Sequence, residues 1–113
     1  MKPIPKRLLI HTVSAITEAP DPDSVFGSKV VESSVTLSRV RVEPSSALTV
    51  GKQNEQVKLS AVLIFDCKNS LPTGYNFSHI KRIEYDGQKY NIVGIGKFYD
   101  DRKLHHYEVE LCL

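Results

Sequence analysis

A chain of 113 residues has room for one domain and one core, because domains usually run to roughly 100–150 residues. Its 41% hydrophobic and 25% charged residues are ordinary for a protein that folds in water, which argues against both disorder and a membrane class. Fifteen Lys and Arg against thirteen Asp and Glu leave a formal charge of +2, too near balance for long-range attraction to nucleic acid.

Leu8-Leu9-Ile10 falls far short of the roughly 20 apolar residues of a membrane span, and it is too short for the core of a secretory signal. Synthesis in a cytoplasm is therefore expected. Cys67 and Cys112 are far apart without CxxC spacing, and in a reducing compartment two buried thiols are favoured over a disulfide.

Pro3 and Pro5 hold residues 1–6 as an extended arm suited to lying across another surface. Residues 7 to about 16 alternate apolar and polar in period two and predict a first strand with both faces partly covered. Residues 18–34 carry Pro20, Pro22, Gly27 and scattered Asp and Ser, and predict a long loop with at most a short edge strand at Val30-Val31. In residues 35–43 the apolar parity of Val35 and Leu37 slips to Val40 and Val42. A β-bulge near Ser38-Arg39 produces such a slip.

Residues 45–56 read as a second long loop. Residues 57–66 are the most apolar stretch, and from Ala61 onward both parities are apolar, as in a strand entering the core. Asp86-Gly87, set between the alternating runs 83–85 and 88–93, is a type I′ hairpin signature, since both turn residues need positive φ. Gly94 and Gly96 let the following strand bend. Residues 105–113 place His105, Tyr107, Val109, Leu111 and Leu113 on one face and His106, Glu108, Glu110 and Cys112 on the other. The sum is a single mostly β domain over residues 1–113, a small antiparallel barrel or sandwich of five to six strands with long loops.

Candidate chemistry is sparse. Asp100, Asp101, His105 and His106 together invite a metal site. Consecutive residues of a strand point to opposite faces, however, so His105 and His106 are not expected to chelate one ion, and a solvated turn followed by an edge strand is favoured. His11 and His79 lack a nucleophile motif nearby, and Cys67 lacks an activating base. Gly94-Ile95-Gly96 lacks the third glycine of a phosphate loop. No enzyme, cofactor or metal is implied. Arg39 and Arg41 share a strand face and form a modest basic patch that could touch DNA, yet aromatic residues are not interleaved with it as a stacking platform requires.

Four stretches, MKPIPKRLLIH at 1–11, RVRVEPSS at 39–46, LSAVLIFDCKNS at 59–70 and YDDRKLHHYE at 99–108, resemble the minor capsid proteins of tailed phages and prophages of Gram-positive bacteria. In order and spacing they cover nearly the whole chain, and residues 16–34 lie outside the resemblance. It implies a virion component of the head-tail junction, similar to head-completion or stopper proteins that form a ring beneath the portal, retain packaged DNA and dock the tail. The partners it implies are sister subunits, portal or adaptor protein, tail proteins and DNA in the channel, with no membrane and no small-molecule substrate. A tail-side adaptor or terminator is the alternative within assembly proteins, and a small nucleic-acid-binding barrel is the alternative outside them. The two loops are the expected contact segments, through Asp21, Asp23, Phe26 and Lys29 in one and Leu48 and Lys52 in the other.

Overall fold

The structure, a computed structural model, describes residues 2–23, 29–51 and 53–113. Among the described residues eight strands follow one another: β1 (His11–Pro20), β2 (Val30–Pro44), β3 (Leu48–Val50), β4 (Gln56–Lys58), β5 (Ala61–Asp66), β6 (Ile80–Tyr85), β7 (Gln88–Tyr99) and β8 (Leu104–Cys112). Six of them close an antiparallel barrel in the order β1-β2-β5-β8-β7-β6, while β3 and β4 form a separate two-stranded ribbon. The ring is closed by β1 against β6, with Ser14 opposite Glu84 and Ala15 opposite Ile83. Closure matters because it gives each of these six strands a partner on both sides at the waist, so no edge is left there.

The interior is filled by the inward parity of every strand. Val13 and Ala15 of β1, Leu37, Val40 and Val42 of β2, Ala61, Leu63 and Phe65 of β5, Ile83 of β6, and Val109 and Leu111 of β8 form one buried cluster. The slip between Leu37 and Val40 is the expected bulge. His11 faces Val40 and Val13 faces Leu37, so Ser38 and Arg39 fit between ladder positions, and Arg39 takes φ +54°. The extra residue returns Val40 and Val42 to the core side. β7 repeats the device, with a register shift between Ile92 and Gly94 that brings both Ile92 and Ile95 against the core.

The β6–β7 hairpin turns where the sequence places it, with Asp86 at φ +52° and Gly87 at φ +76° and Tyr85 opposite Gln88. One end of the barrel is plugged by aromatic rings from the segment between β5 and β6. Phe77 meets Phe65 edge-on at 5.3 Å, Tyr75 at 4.9 Å and Tyr107 at 4.8 Å, and it is only 3% exposed. Burial raises the titration of the Tyr75 and Tyr107 phenols above their ordinary range.

Four expectations need correction. The first strand starts at His11 and not at residue 7, because Lys6–Leu8 form a single 3-10 turn. Much of the loop expected over 18–34 is hairpin: Ile16 to Pro20 pair residue by residue with Ser34 to Val30. The second loop contains the β3–β4 ribbon, in which Leu48 faces Lys58 and Val50 faces Gln56. The apolar run 57–66 is split, because Leu59 and Ser60 break it into a ribbon strand and a barrel strand.

The long hairpin stretches the molecule to 50 × 32 × 30 Å, with a radius of gyration of 15.2 Å, against about 13 Å for a compact domain of this length. Replacing the aromatic plug, Phe77→Ala, is expected to cost about 3–5 kcal/mol of unfolding free energy, read as a lowered urea midpoint. Tyr99→Ala, at an exposed position, should change the unfolding free energy by no more than about 0.5 kcal/mol.

Candidate functional site

Two long strands outrun their neighbours. β2 pairs with β5 only from Arg41 to Pro44, with a single further bridge from Ser38 to Leu71. Among the described residues, nothing pairs with residues 30–37 on that side. Likewise β7 pairs with β6 only from Gln88 to Asn91, which leaves residues 92–99 without a described strand on that side. Both open edges lie toward the end of the barrel that carries the β1–β2 tip and the β7–β8 turn. Where β6 stops at Ile80, a cleft of about 400 Å³ opens between Glu18, residues 77–81 and residues 92–95 of β7.

The open edges are not blunted by apolar burial. Val30, Val31 and Val35 on β2 are 59%, 45% and 40% exposed, and Phe98 and Tyr99 on β7 are 43% and 61% exposed. The ribbon at the far end adds Leu48 at 62% and Val50 at 64%, two side chains of one parity on a two-stranded unit that is marginal by itself. Exposed apolar side chains beside unpaired strand edges are the surfaces on which further strands or subunits dock.

The expected contact residues divide accordingly. Asp21 and Lys29 flank the β1–β2 tip, where the Asp21 amide donates to the Lys29 carbonyl at 3.1 Å, and the Asp23 amide donates to Asp21 Oδ1 at 2.9 Å. Leu48 stands exposed on the ribbon. Phe26 and Lys52 lie outside the described residues. The overhang is braced by ion pairs at its root: Arg82 Nη2 reaches Glu18 at 2.7 Å and Glu32 at 2.8 Å. Arg39 and Arg41 flank the buried Val40, but Arg41 is engaged within the chain, donating from Nε to Glu43 at 2.6 Å and from Nη1 to the Leu8 carbonyl at 3.1 Å.

The polar centre of the molecule is Asp66, at 0% exposure. Its Oδ1 accepts from the Ile4 amide at 3.1 Å, and its Oδ2 accepts from the amides of Lys68 at 3.2 Å and Asn69 at 2.8 Å. Ser70, equally buried, accepts from the Asp66 amide through Oγ at 2.9 Å and donates to the Arg39 carbonyl. One carboxylate and one hydroxyl thereby tie together the end of β5, the turn after it, the β2 bulge and the N-terminal arm. Asn69 Nδ2 donates to the Ile4 carbonyl at 2.8 Å, completing a two-point grip on the arm. The surface across which the arm lies is its own barrel, with Ile4 and Leu8 bordering a depression lined by Arg41, Glu43 and Ile64.

The histidines also behave differently from expectation. Although consecutive on β8, their rings touch, with Nδ1 to Nδ1 at 2.8 Å. Among the described residues no group of three or more His, Cys, Asp or Glu side chains is placed to hold a metal ion. Asp100 instead caps the β7–β8 turn, accepting from the amides of Arg102 and Lys103 at 2.8 Å each. Those bonds, from Lys103 first and Arg102 second, hold its carboxyl below the usual carboxylate range.

Burial pushes the Cys67 thiol up, and the neighbouring Asp66 carboxylate adds to the effect. A raised thiol carries less thiolate, the reactive species, at a given pH. Iodoacetamide at about pH 8 should therefore modify Cys67 more slowly than a free thiol near 8.5, and Asp66→Asn should speed the reaction. Asp66→Ala should cost about 2–4 kcal/mol of stability, since it strips three amides of their acceptor, and it should raise hydrogen exchange at Ile4.

Neither the curated proteins nor the solved structures compared with this chain gave a match. The family model described as minor capsid protein matches residues 5–111, and so runs through the segment 16–34 that the four stretches above leave out. With a match across almost its whole length, the chain belongs to the minor capsid protein family, and its role is structural, within a phage virion.

Proposed function

We propose that the protein is a ring-forming component of the head-tail junction of a tailed phage of a Gram-positive host, acting as a head-completion or stopper protein that helps retain packaged DNA and dock the tail. The observation that carries this reading is the pair of open, apolar-flanked edges, residues 30–37 of β2 and residues 92–99 of β7. They are different surfaces of one subunit. Contact between two different surfaces is heterologous, and it closes into a ring when the rotation between copies allows.

A barrel with both edges free to pair supports such contacts without refolding, because strand addition uses main-chain hydrogen bonds already aimed outward. The near-balanced charge of +2 lets identical copies approach without strong repulsion. In this reading the β1–β2 tip, flanked by Asp21 and Lys29, and the ribbon that carries Leu48 reach sister subunits and the portal-side and tail-side rings, and Asp23, Phe26 and Lys52 are proposed contacts as well. One of these projections narrows the channel around the DNA, and Arg39 on the outer surface of β2 is the side chain offered to it.

The test is a pair of charge insertions at exposed edge positions, Val31→Asp and Tyr99→Asp, in a phage lacking its own copy. Each variant should fold with an unfolding free energy unchanged within about 0.5 kcal/mol, yet fail to enter particles, leaving DNA-free heads without tails in electron micrographs. Full, tailed, infectious particles carrying both variants would refute the edge assignment. Full heads beside free tails would move the protein to a tail-side adaptor or terminator role.

A further inference from the structure

The contact between His105 and His106 forms the middle of a chain of three hydrogen bonds. His105 Nε2 lies 2.6 Å from the Lys2 carbonyl, the two Nδ1 atoms are 2.8 Å apart, and His106 Nε2 lies 2.9 Å from Glu108 Oε2. A carbonyl oxygen only accepts, so His105 Nε2 carries a proton. An ionised Glu108 also only accepts, so His106 Nε2 carries one as well. Two neutral imidazoles have two N–H groups between them, and both are then used at the ends. The central contact would face lone pair against lone pair at 2.8 Å. It becomes a hydrogen bond only when a third proton sits between the rings. A fourth proton puts N–H against N–H and breaks the centre again.

We infer that the N-terminal arm is latched to the barrel by a His105–His106 pair holding one shared extra proton, so that the latch closes only over the pH interval in which the two rings carry that single proton. The surroundings favour one cation at this place. His106 is stacked on Phe98, with ring centres 4.8 Å apart and planes 7° from parallel, so the ring face is offered to a positive charge. Glu108, 37% exposed at its side chain, supplies the counter-charge.

Other charged and titratable groups face the pair from each packed element. From β5, Asp66 stands opposite His106 in register, but its oxygens are taken by three amides. Cys67 donates its amide to the His105 carbonyl. Lys68, Asp100 and Lys103 share the cleft beside His105 with Pro3 of the arm, and Lys97 of β7 stands opposite the adjacent Tyr107. Asp100 is occupied by its own turn. Lys2 belongs to the arm itself. Glu108 is thus the carboxylate in contact with the pair. The inference concerns how the arm is held and stands independently of the ring reading.

The test is NMR on the full chain from about pH 5 to about pH 9, across the range where histidine changes charge. The side-chain ¹⁵N shifts of both imidazoles and the exchange protection of the Ile4 amide, corrected for intrinsic rate, are followed together. Within the closed interval three of the four ring nitrogens should be protonated. On the alkaline side Ile4 protection should fall by about tenfold, the equivalent of one charge-assisted hydrogen bond, in step with loss of the third proton. Glu108→Gln, at a partly exposed position, should keep the fold and move this alkaline flank to lower pH, because the imidazolium loses its counter-charge. His106→Phe should abolish the flank while leaving Ile4 bonded to Asp66. Two neutral rings with Ile4 still fully protected, or an alkaline flank unchanged in Glu108→Gln, would overturn the proposal.

Discussion

The pairing of β1 with β6 turns a six-stranded sheet into a barrel. Four residues on each strand make that seam, and Ala15 and Ile83, both at 0% exposure, face each other across it. The seam is short because β6 is short. β1, β2 and β7 continue past its end at Ile80, and beyond the seam each keeps a described strand partner on one side only. A stable closed waist and unsatisfied strand edges therefore come from one cause, the mismatch of strand lengths around the ring. The waist supplies a core that folds without partners. In the proposed ring the edges supply directional contacts to further subunits.

Asp66 solves a second problem created by the same mismatch. β5 ends while β2 continues, so the barrel wall has to be completed by irregular chain, and irregular chain carries amides without ladder partners. A buried carboxylate that accepts three of them, with Ser70 holding the Arg39 carbonyl, ties the turn, the bulge and the arm into one unit. Removing the carboxylate would leave three part-buried donors without their acceptor, at a cost above the net value of any one of the bonds. The same centre raises the Cys67 thiol and so keeps the nearest nucleophile quiet.

Much of this was legible in the residues, and what was not has identifiable reasons. The parity slip from Leu37 to Val40 announced the bulge, since only an extra residue keeps both on the core side. Asp86-Gly87 announced its turn, since few other pairs accept positive φ twice. The alternation in 105–113 gave the faces of β8. The long hairpin was hidden because Glu18, Glu32, Ser33 and Ser34 are polar. A strand that projects into solvent has no buried face, so it leaves no period-two signal. The β3–β4 ribbon was hidden for the same reason. Asp66 reads in sequence as the polar end of an apolar run, and nothing local shows that amides from residues 4, 68 and 69 converge on it. The contact of the two histidine rings was unpredictable from alternation, because side chains at a strand end can turn toward each other once the arm supplies a carbonyl.

The waist is satisfied within one subunit, and in the proposed ring the edges of β2 and β7 take partners from another. Residue-resolved hydrogen exchange, on the isolated chain and again on the protein within assembled particles, tests this most directly. Amides of residues 14–17 and 82–84 are expected to resist exchange in both states, while the amides within residues 30–37 and 92–99 that point away from β1 and β8 exchange readily in the isolated chain and become protected in the particle. Rapid exchange at the β1–β6 seam in the isolated chain, or edge amides that stay unprotected after assembly, would contradict it.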